Sequence, residues 1–208
     1  MINRHCAGYS AIMFEFKDFP TLQTERLILR EIVPGDADAV FRIRGDFEVT
    51  RYNVGAAYTR IEQAQGLIDG IHHDYVREQE IRWGITRKED GSDAPVIGMC
   101  GYNYWHRVDR RGSIGFDLAR DYWRQGLMQE TVETVLRFGF TEMDLNRIEA
   151  EASSDNEASI HLLEKLGFQR EGLQREHYFE EGAFHDLALY SLLRREWETT
   201  KEGSENEN

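Results

Sequence analysis

The stretch Ile114–Phe140, IGFDLARDYWRQGLMQETVETVLRFGF, decides how the rest of the chain is read. Ile114 to Leu118 predicts a strand, and Arg124-Gln125-Gly126 a tight turn. From Gly126 onward, Met128, Val132, Val135, Leu136 and Gly139 fall at helical spacing. A helix that opens on a glycine turn is suited to holding an anion. Its first N–H groups have no partner inside the helix, and the macrodipole puts partial positive charge at that end. Gly126 lets the backbone approach a ligand with no Cβ in the way.

Upstream of this unit, Arg26–Glu31 alternates and reads as a first strand, broken at Pro34-Gly35-Asp36. Asp36 suits an N-cap for a helix carrying Ala37, Val40, Phe41 and Arg44 on one face. After a loop at Asn53–Tyr58, a second helix carries Ile61, Ala64, Leu67, Ile68, Ile71 and Tyr75. Three strands follow, at Ile81–Thr86, Val96–Trp105 and Gly112–Leu118. Within Tyr102-Asn103-Tyr104-Trp105, alternation sends one pair towards a cleft and the other to the core.

Downstream, Asn146–Ser153 alternates Ile148, Ala150 and Ala152 against Arg147, Glu149 and Glu151, a strand with one buried face. Asn156 opens a short helix that Gly167 ends. Arg170–Phe179 and Ala183–Leu193 read as a closing hairpin, with His177 and Tyr178 on its substrate side. The order β-α-α-β-β-β-α-β-α-β-β implies an α/β (α+β mixed) fold: a central, mixed, mostly antiparallel twisted sheet flanked by helices. One domain spans residues 24–197, after an N-terminal extension, 1–23, from which Phe14, Phe16 and Phe19 pack on the domain. An acidic tail, 198–208, lacks periodicity and reads as disordered.

Composition narrows the function. The chain has 208 residues, 40% hydrophobic and 30% charged, which is ordinary for a globular protein. A net charge of −13 argues against non-specific nucleic-acid binding and suits a cationic partner. No apolar run reaches membrane-span length and no secretory leader is legible, so the expected location is cytoplasmic. Met13 is an alternative start. Two cysteines, Cys6 and Cys100, make no disulfide framework. No metal-ligand spacing is present.

Five blocks in order resemble the GNAT superfamily of acyl-CoA-dependent N-acetyltransferases, and within it the ribosomal-protein N-terminal acetyltransferase branch. They are Thr24–Arg30, Ile114–Leu118, Tyr122–Gly126, Asn146–Ala150, and Asn156–Ser159 leading to Glu164–Phe168. The resemblance implies acetyl-CoA (coenzyme A) as co-substrate and an amine as acceptor; separately, exposed hairpins and strand edges make a homodimer plausible. It places the pyrophosphate on the turn Arg124, Gln125, Gly126, Leu127, Met128 and Gln129. Trp123 and Met128 depart from the family's motif Q/R-x-x-G-x-G/A at its first and last positions. The resemblance pairs the pantetheine arm with Phe116, Asp117 and Leu118. It brings Asn156 to the cofactor and Ser159 towards the sulfur. Leu163 stands where many relatives carry a tyrosine acid, and Ser113 where relatives carry a glutamate base.

The chemistry then needs a neutral amine to attack a thioester. A thiol has a pKa of about 8.5, so the thiolate leaves without a strong acid. An α-amine, at about 7.7–8, loses its proton far more cheaply than a lysine amine near 10.4. A site without the usual glutamate therefore suits an α-amine, helped by a water on Asp117 or Glu149. Ser159, Asp117 and Glu149 are the candidate catalytic residues. Each has a plain structural alternative: helix residue, strand-end polar group and ion-paired strand residue. Three functions follow: acetylation of a protein N-terminal α-amine, acetylation of a small amine, or an acyl-CoA-binding module without turnover.

Overall fold

The computed structural model describes residues 18–205 except 54, 92 and 181, without the side chains of residues 200–205. Strands β1 (Leu22–Gln23) and β2 (Leu27–Glu31) lead into helices α1 (Ala37–Gly45), α2 (Phe47–Thr50) and α3 (Ile61–Val76). The meander β3 (Ile81–Arg87), β4 (Gly98–His106) and β5 (Arg111–Leu118) precedes α4 (Leu127–Thr141). Strand β6 (Arg147–Ser153), helix α5 (Glu157–Lys165), the hairpin β7 (Gln169–Glu180) and β8 (Ala183–Leu193), and α6 (Arg194–Glu205) complete it. The eight described strands form one sheet in the order β1-β2-β3-β4-β5-β6-β8-β7. Among the described residues only β5 and β6 pair in parallel. The mixed, mostly antiparallel sheet expected from the sequence is the observed one.

Period-2 alternation gives the sheet two coats. Tyr102, Ile114, Ile148, Ala150 and Tyr190 turn to one face and pack with Val132, Val135 and Leu136 of α4 and Leu163 of α5. Met99, Val96 and Ile32 turn to the other, under Val40 and Ile43 of α1 and Ala64, Ile68 and Ile71 of α3. Burial at about 25 cal/mol per Å² makes these two clusters the main favourable contribution to the fold.

Three expectations change. Asp36 does not cap α1 with its side chain. Its carboxylate instead takes two bonds from the Arg30 guanidinium, each 2.8 Å, and one from the Val33 N–H at 2.9 Å. A two-pronged contact between opposite charges outweighs a single cap bond from a neutral N–H. The acidic segment from Glu198, expected to be disordered, is helical as far as Glu205; residues 206–208 lie outside the described residues. The helix is held at its root by tertiary contacts that composition does not show. Trp197 packs on Phe140 with ring centres 5.0 Å apart, Glu196 accepts from the Leu193 N–H, and Arg194 donates to the Leu145 carbonyl. The N-terminal stretch is only partly described, from Asp18 on, and it includes β1. Phe19 packs on Tyr75 and Trp83; Phe14 and Phe16 lie outside the described residues.

Candidate active site

Parallel pairing of β5 and β6 covers only Arg111–Ser113 against Arg147–Glu149. Both strands continue, β5 held by β4 as far as Leu118 opposite Gly98, and β6 by β8 as far as Ser153 opposite Leu187. Past Ser113 the two edges therefore part into a V, each fixed from behind. Backbone groups along that opening have no strand partner across it, which is the form of site that pairs with an extended ligand.

The end of β5 runs into the turn before α4. Arg124 and Gly126 are both left-handed, with φ of 59° and 76°. For Gly126 this conformation is free of Cβ strain; Arg124 accepts it at some cost. No side chain caps α4, so the N–H groups of Leu127, Met128 and Gln129 face outward unpaired by the helix. Leu127 itself is buried and Met128 packs against the core, so these two offer backbone alone. Gln125 turns its amide back to the Asp121 carbonyl, 3.0 Å away. The atypical Trp123 ties the turn to the strand, its indole donating to the Leu118 carbonyl at 2.7 Å.

A brace from the residues just before β2 fixes the turn from behind. Arg26 donates to the Gln125 carbonyl at 2.9 Å and to Glu130 at 2.6 Å. Glu130 also accepts from the Thr24 hydroxyl and the Arg26 N–H. Burial would raise the Glu130 carboxyl, but these hydrogen bonds outweigh it and hold it below its ordinary value. A negative charge in the first turn of α4 is thus neutralised by Arg26. The block Thr24–Arg30 marked the resemblance; that Thr24 and Arg26 clamp α4 shows only in three dimensions.

Across the V, Asn156 caps α5, its Oδ1 accepting from the Ser159 N–H at 3.1 Å. The cap uses Oδ1 and leaves the Asn156 NH2 as a donor. Ser159 is half-buried. Leu163, where the resemblance looked for a tyrosine, is buried in the core.

An open edge on β5, an uncapped α4 behind a left-handed glycine and a capping asparagine across the gap thus coincide with a match of residues 26–169 to the family model for the acetyltransferase (GNAT) domain. The chain belongs to the GNAT acetyltransferase family. It is an enzyme, an N-acetyltransferase. It is 38% identical over 176 residues to "Uncharacterized N-acetyltransferase YoaA" of Bacillus subtilis (strain 168), covering 85% of this chain and 98% of that one. It is 40% identical over 177 residues to "Uncharacterized N-acetyltransferase p20" of Bacillus licheniformis, with the same coverage. Among solved structures, RimL, titled a ribosomal L7/L12 alpha-N-protein acetyltransferase in complex with coenzyme A, superimposes with a TM-score of 0.73. At 18% identity, over 84% of this chain and 97% of that chain, this likeness shows the fold.

In this GNAT enzyme the face of the V towards α1 and α3 is polar and extensively paired. Asp117 is buried, and its two oxygens accept from Arg44 at 2.9 Å and Asn53 at 2.8 Å. Glu149, at the crotch of the V, accepts from the Tyr104 hydroxyl, from Arg147 at 2.8 Å and from Arg111 at 3.2 Å. Its carboxyl is raised, first by burial and then by the charges of Glu171 and Glu151. The candidates Asp117 and Glu149 thus sit at the gap, and both are also ion-paired. Tyr178 stacks on His185, 5.2 Å between centres, while His177 is exposed. The Gly55 N–H reaches Glu180 at 3.3 Å, so the loop after α2 touches the hairpin.

Alternation misplaced one pair. Tyr102 is buried and Trp105 packs against the same core, but the residues towards the cleft are the adjacent Asn103 and Tyr104. A β-bulge between Tyr102 and Tyr104 adds one residue to β4 and keeps both on the polar face. A separate cavity of ≈ 300 Å³, lined by Arg42, Asp46, Ala119 and Arg120, lies by the end of β5 beyond the gap. Among the described residues no group of three or more His, Cys, Asp or Glu could hold a metal, and no helix is long and apolar enough to cross a membrane.

Proposed function

We propose that the protein transfers the acetyl group of acetyl-CoA to the α-amine of a protein N-terminus. The observation that carries this reading is the state of the two carboxylates at the gap. Arg44 and Asn53 hold Asp117, and Tyr104, Arg111 and Arg147 hold Glu149. A site whose carboxylates are already engaged favours an amine that is neutral in a large fraction near pH 7–8. An α-amine meets this condition; a lysine amine pays about 1.36 kcal/mol for each of some two to three further pKa units.

The residues fit the donor. The N–H groups at the head of α4 and the Arg124 side chain suit the pyrophosphate, the free edge of Phe116–Leu118 suits the pantetheine amides, and the Asn156 NH2 suits a carbonyl on the same arm. The amine nitrogen bonds to the thioester carbon, the carbon–sulfur bond breaks, and the amine proton passes to water in the cleft. Backbone N–H groups of β5 that face the gap stabilise the oxyanion. Ser159, close to the end of the arm, donates to the departing sulfur, which leaves as coenzyme A.

RimL's title, which names an alpha-N-protein acetyltransferase, supports the same acceptor class. An acceptor panel tests the reading: short peptides with free α-amines, the same peptides blocked at the α-amine with a lysine free, and polyamines, followed by thiol release. The expected order puts free α-amine peptides first. Preference for polyamines or lysine side chains would overturn it.

A further inference from the structure

Asn103 is the extra residue of the β4 bulge, and the strand uses it unlike its neighbours. Its side chain is exposed on the polar face and lies flat across Gly115 of β5, the strand that borders the V. Its Nδ2 and Oδ1 are 2.8 and 2.9 Å from where a Cβ on Gly115 would stand. Any side chain at position 115 would displace the amide. The glycine is therefore the seat that Asn103 occupies.

Arg82 sets which way the amide faces. It donates to Asn103 Oδ1 from β3, on the far side of β4 from the V, and Glu80 fixes Arg82 through a 2.7 Å ion pair. A guanidinium has only donors, so the atom it meets must be the oxygen. Nδ2, which like Oδ1 lies over Gly115, keeps its two hydrogens for a further acceptor. An amide with both donor hydrogens free is thus presented one strand from the open edge, on the polar face of the sheet.

We infer that Asn103 is a specificity-determining residue that donates to the first peptide carbonyl oxygen of the acceptor. This rests on the N-terminal reading of the acceptor and sharpens it. The protonated nitrogens of a polyamine carry no lone pair and so cannot accept from the Asn103 Nδ2. A peptide N-terminus carries a carbonyl two bonds from its α-carbon nitrogen, within reach of a donor beside the reacting centre. A site built to donate to a substrate oxygen rejects the analogue lacking it, because the donor is left unpaired.

The test compares one peptide acceptor with its analogue in which the first carbonyl is reduced to a methylene. Wild type is expected to favour the peptide by more than about tenfold in kcat/KM, about tenfold from one such hydrogen bond and the rest from the greater basicity of the analogue's amine. Asn103→Ala should lower kcat/KM for the peptide about tenfold, leave the analogue unchanged, and leave KM for acetyl-CoA unchanged. Asn103→Asp keeps the shape and the Arg82 contact but removes the donor, so the same loss is expected without a cavity. Equal losses on both acceptors, or none on the peptide, would overturn the inference. If wild type acetylates no peptide, the acceptor reading falls and this inference with it. If wild type and both variants acetylate peptides equally, the acceptor reading stands and the role of Asn103 alone is lost.

Discussion

The two halves of the site are built differently. The half proposed for the donor is backbone: the edge of β5, a left-handed turn and the head of α4, with side chains such as Arg26, Glu130 and Trp123 acting from behind as struts. The half facing α1 and α3 is side chain: Asp117 held by Arg44 and Asn53, Asn103 by Arg82, Glu149 by Tyr104, Arg111 and Arg147. Backbone sites recognise what all acyl donors of one kind share. Side-chain sites are where acceptors can be told apart, because each contact can be altered without moving the strand.

This division can be broken most directly at the turn. Gly126→Glu places a Cβ at φ 76° and a negative charge among the N–H groups proposed for phosphate. Calorimetric titration with acetyl-CoA should show binding lost altogether. Intact affinity would remove the pyrophosphate assignment and with it the backbone half.

The opposite half is expected to answer in stability rather than donor affinity. Asp117→Ala leaves Arg44, whose side chain is only 17% exposed, without its carboxylate. Removing one partner of a buried pair costs about 3–5 kcal/mol, read by urea unfolding. Acetyl-CoA affinity of the folded variant should be close to wild type. A variant with unchanged stability and lost turnover would return Asp117 to the role of a water-holding group.

The smallest effect lies in the ionic row behind the crotch. Hydrogen bonds from Arg147 and then Ser191 hold the Glu171 carboxyl at about 2, below its ordinary 4.5. A depressed carboxyl adds stability above its unfolded value and loses it as pH falls from about 4.5 towards about 2. Glu149, raised by burial, has the opposite sign: its contribution is present at low pH and lost as pH rises through its folded value. Glu171→Gln should therefore flatten the acid side of the stability profile, measured by thermal melts from pH 5 downward. The Glu171 side chain is 44% exposed, so solvent screening keeps this change modest. An unchanged profile would show that the row contributes no pH-dependent stability.

The sequence was most legible where structure is local. Strand, turn and helix of Ile114–Phe140 follow from periodicity and one glycine, and the structure places them within a few residues of the expected bounds. Asn156 was legible as a cap for the same reason. Trp123 looked like a weak point in the motif and is a strut, because its partner is the Leu118 carbonyl five residues back in a bent chain. Asn103 could not be placed: a bulge shifts the face of every residue on one side of it, and no residue type in Tyr102–Trp105 announces one. The ordered start of α6 was missed because Trp197 is a single anchor in a polar segment.

By itself, then, the sequence determined the layered sheet, the glycine turn before α4 and the family, since each rests on short local patterns and their order along the chain. Only the tertiary structure decided which carboxylates are already paired, that β5 and β6 part after Ser113, and that an amide rests on Gly115. Those outcomes join Arg44 to Asp117 and Arg82 to Asn103 across separate elements. Contacts of that kind are set by strand register and packing, which leave no local mark on the chain.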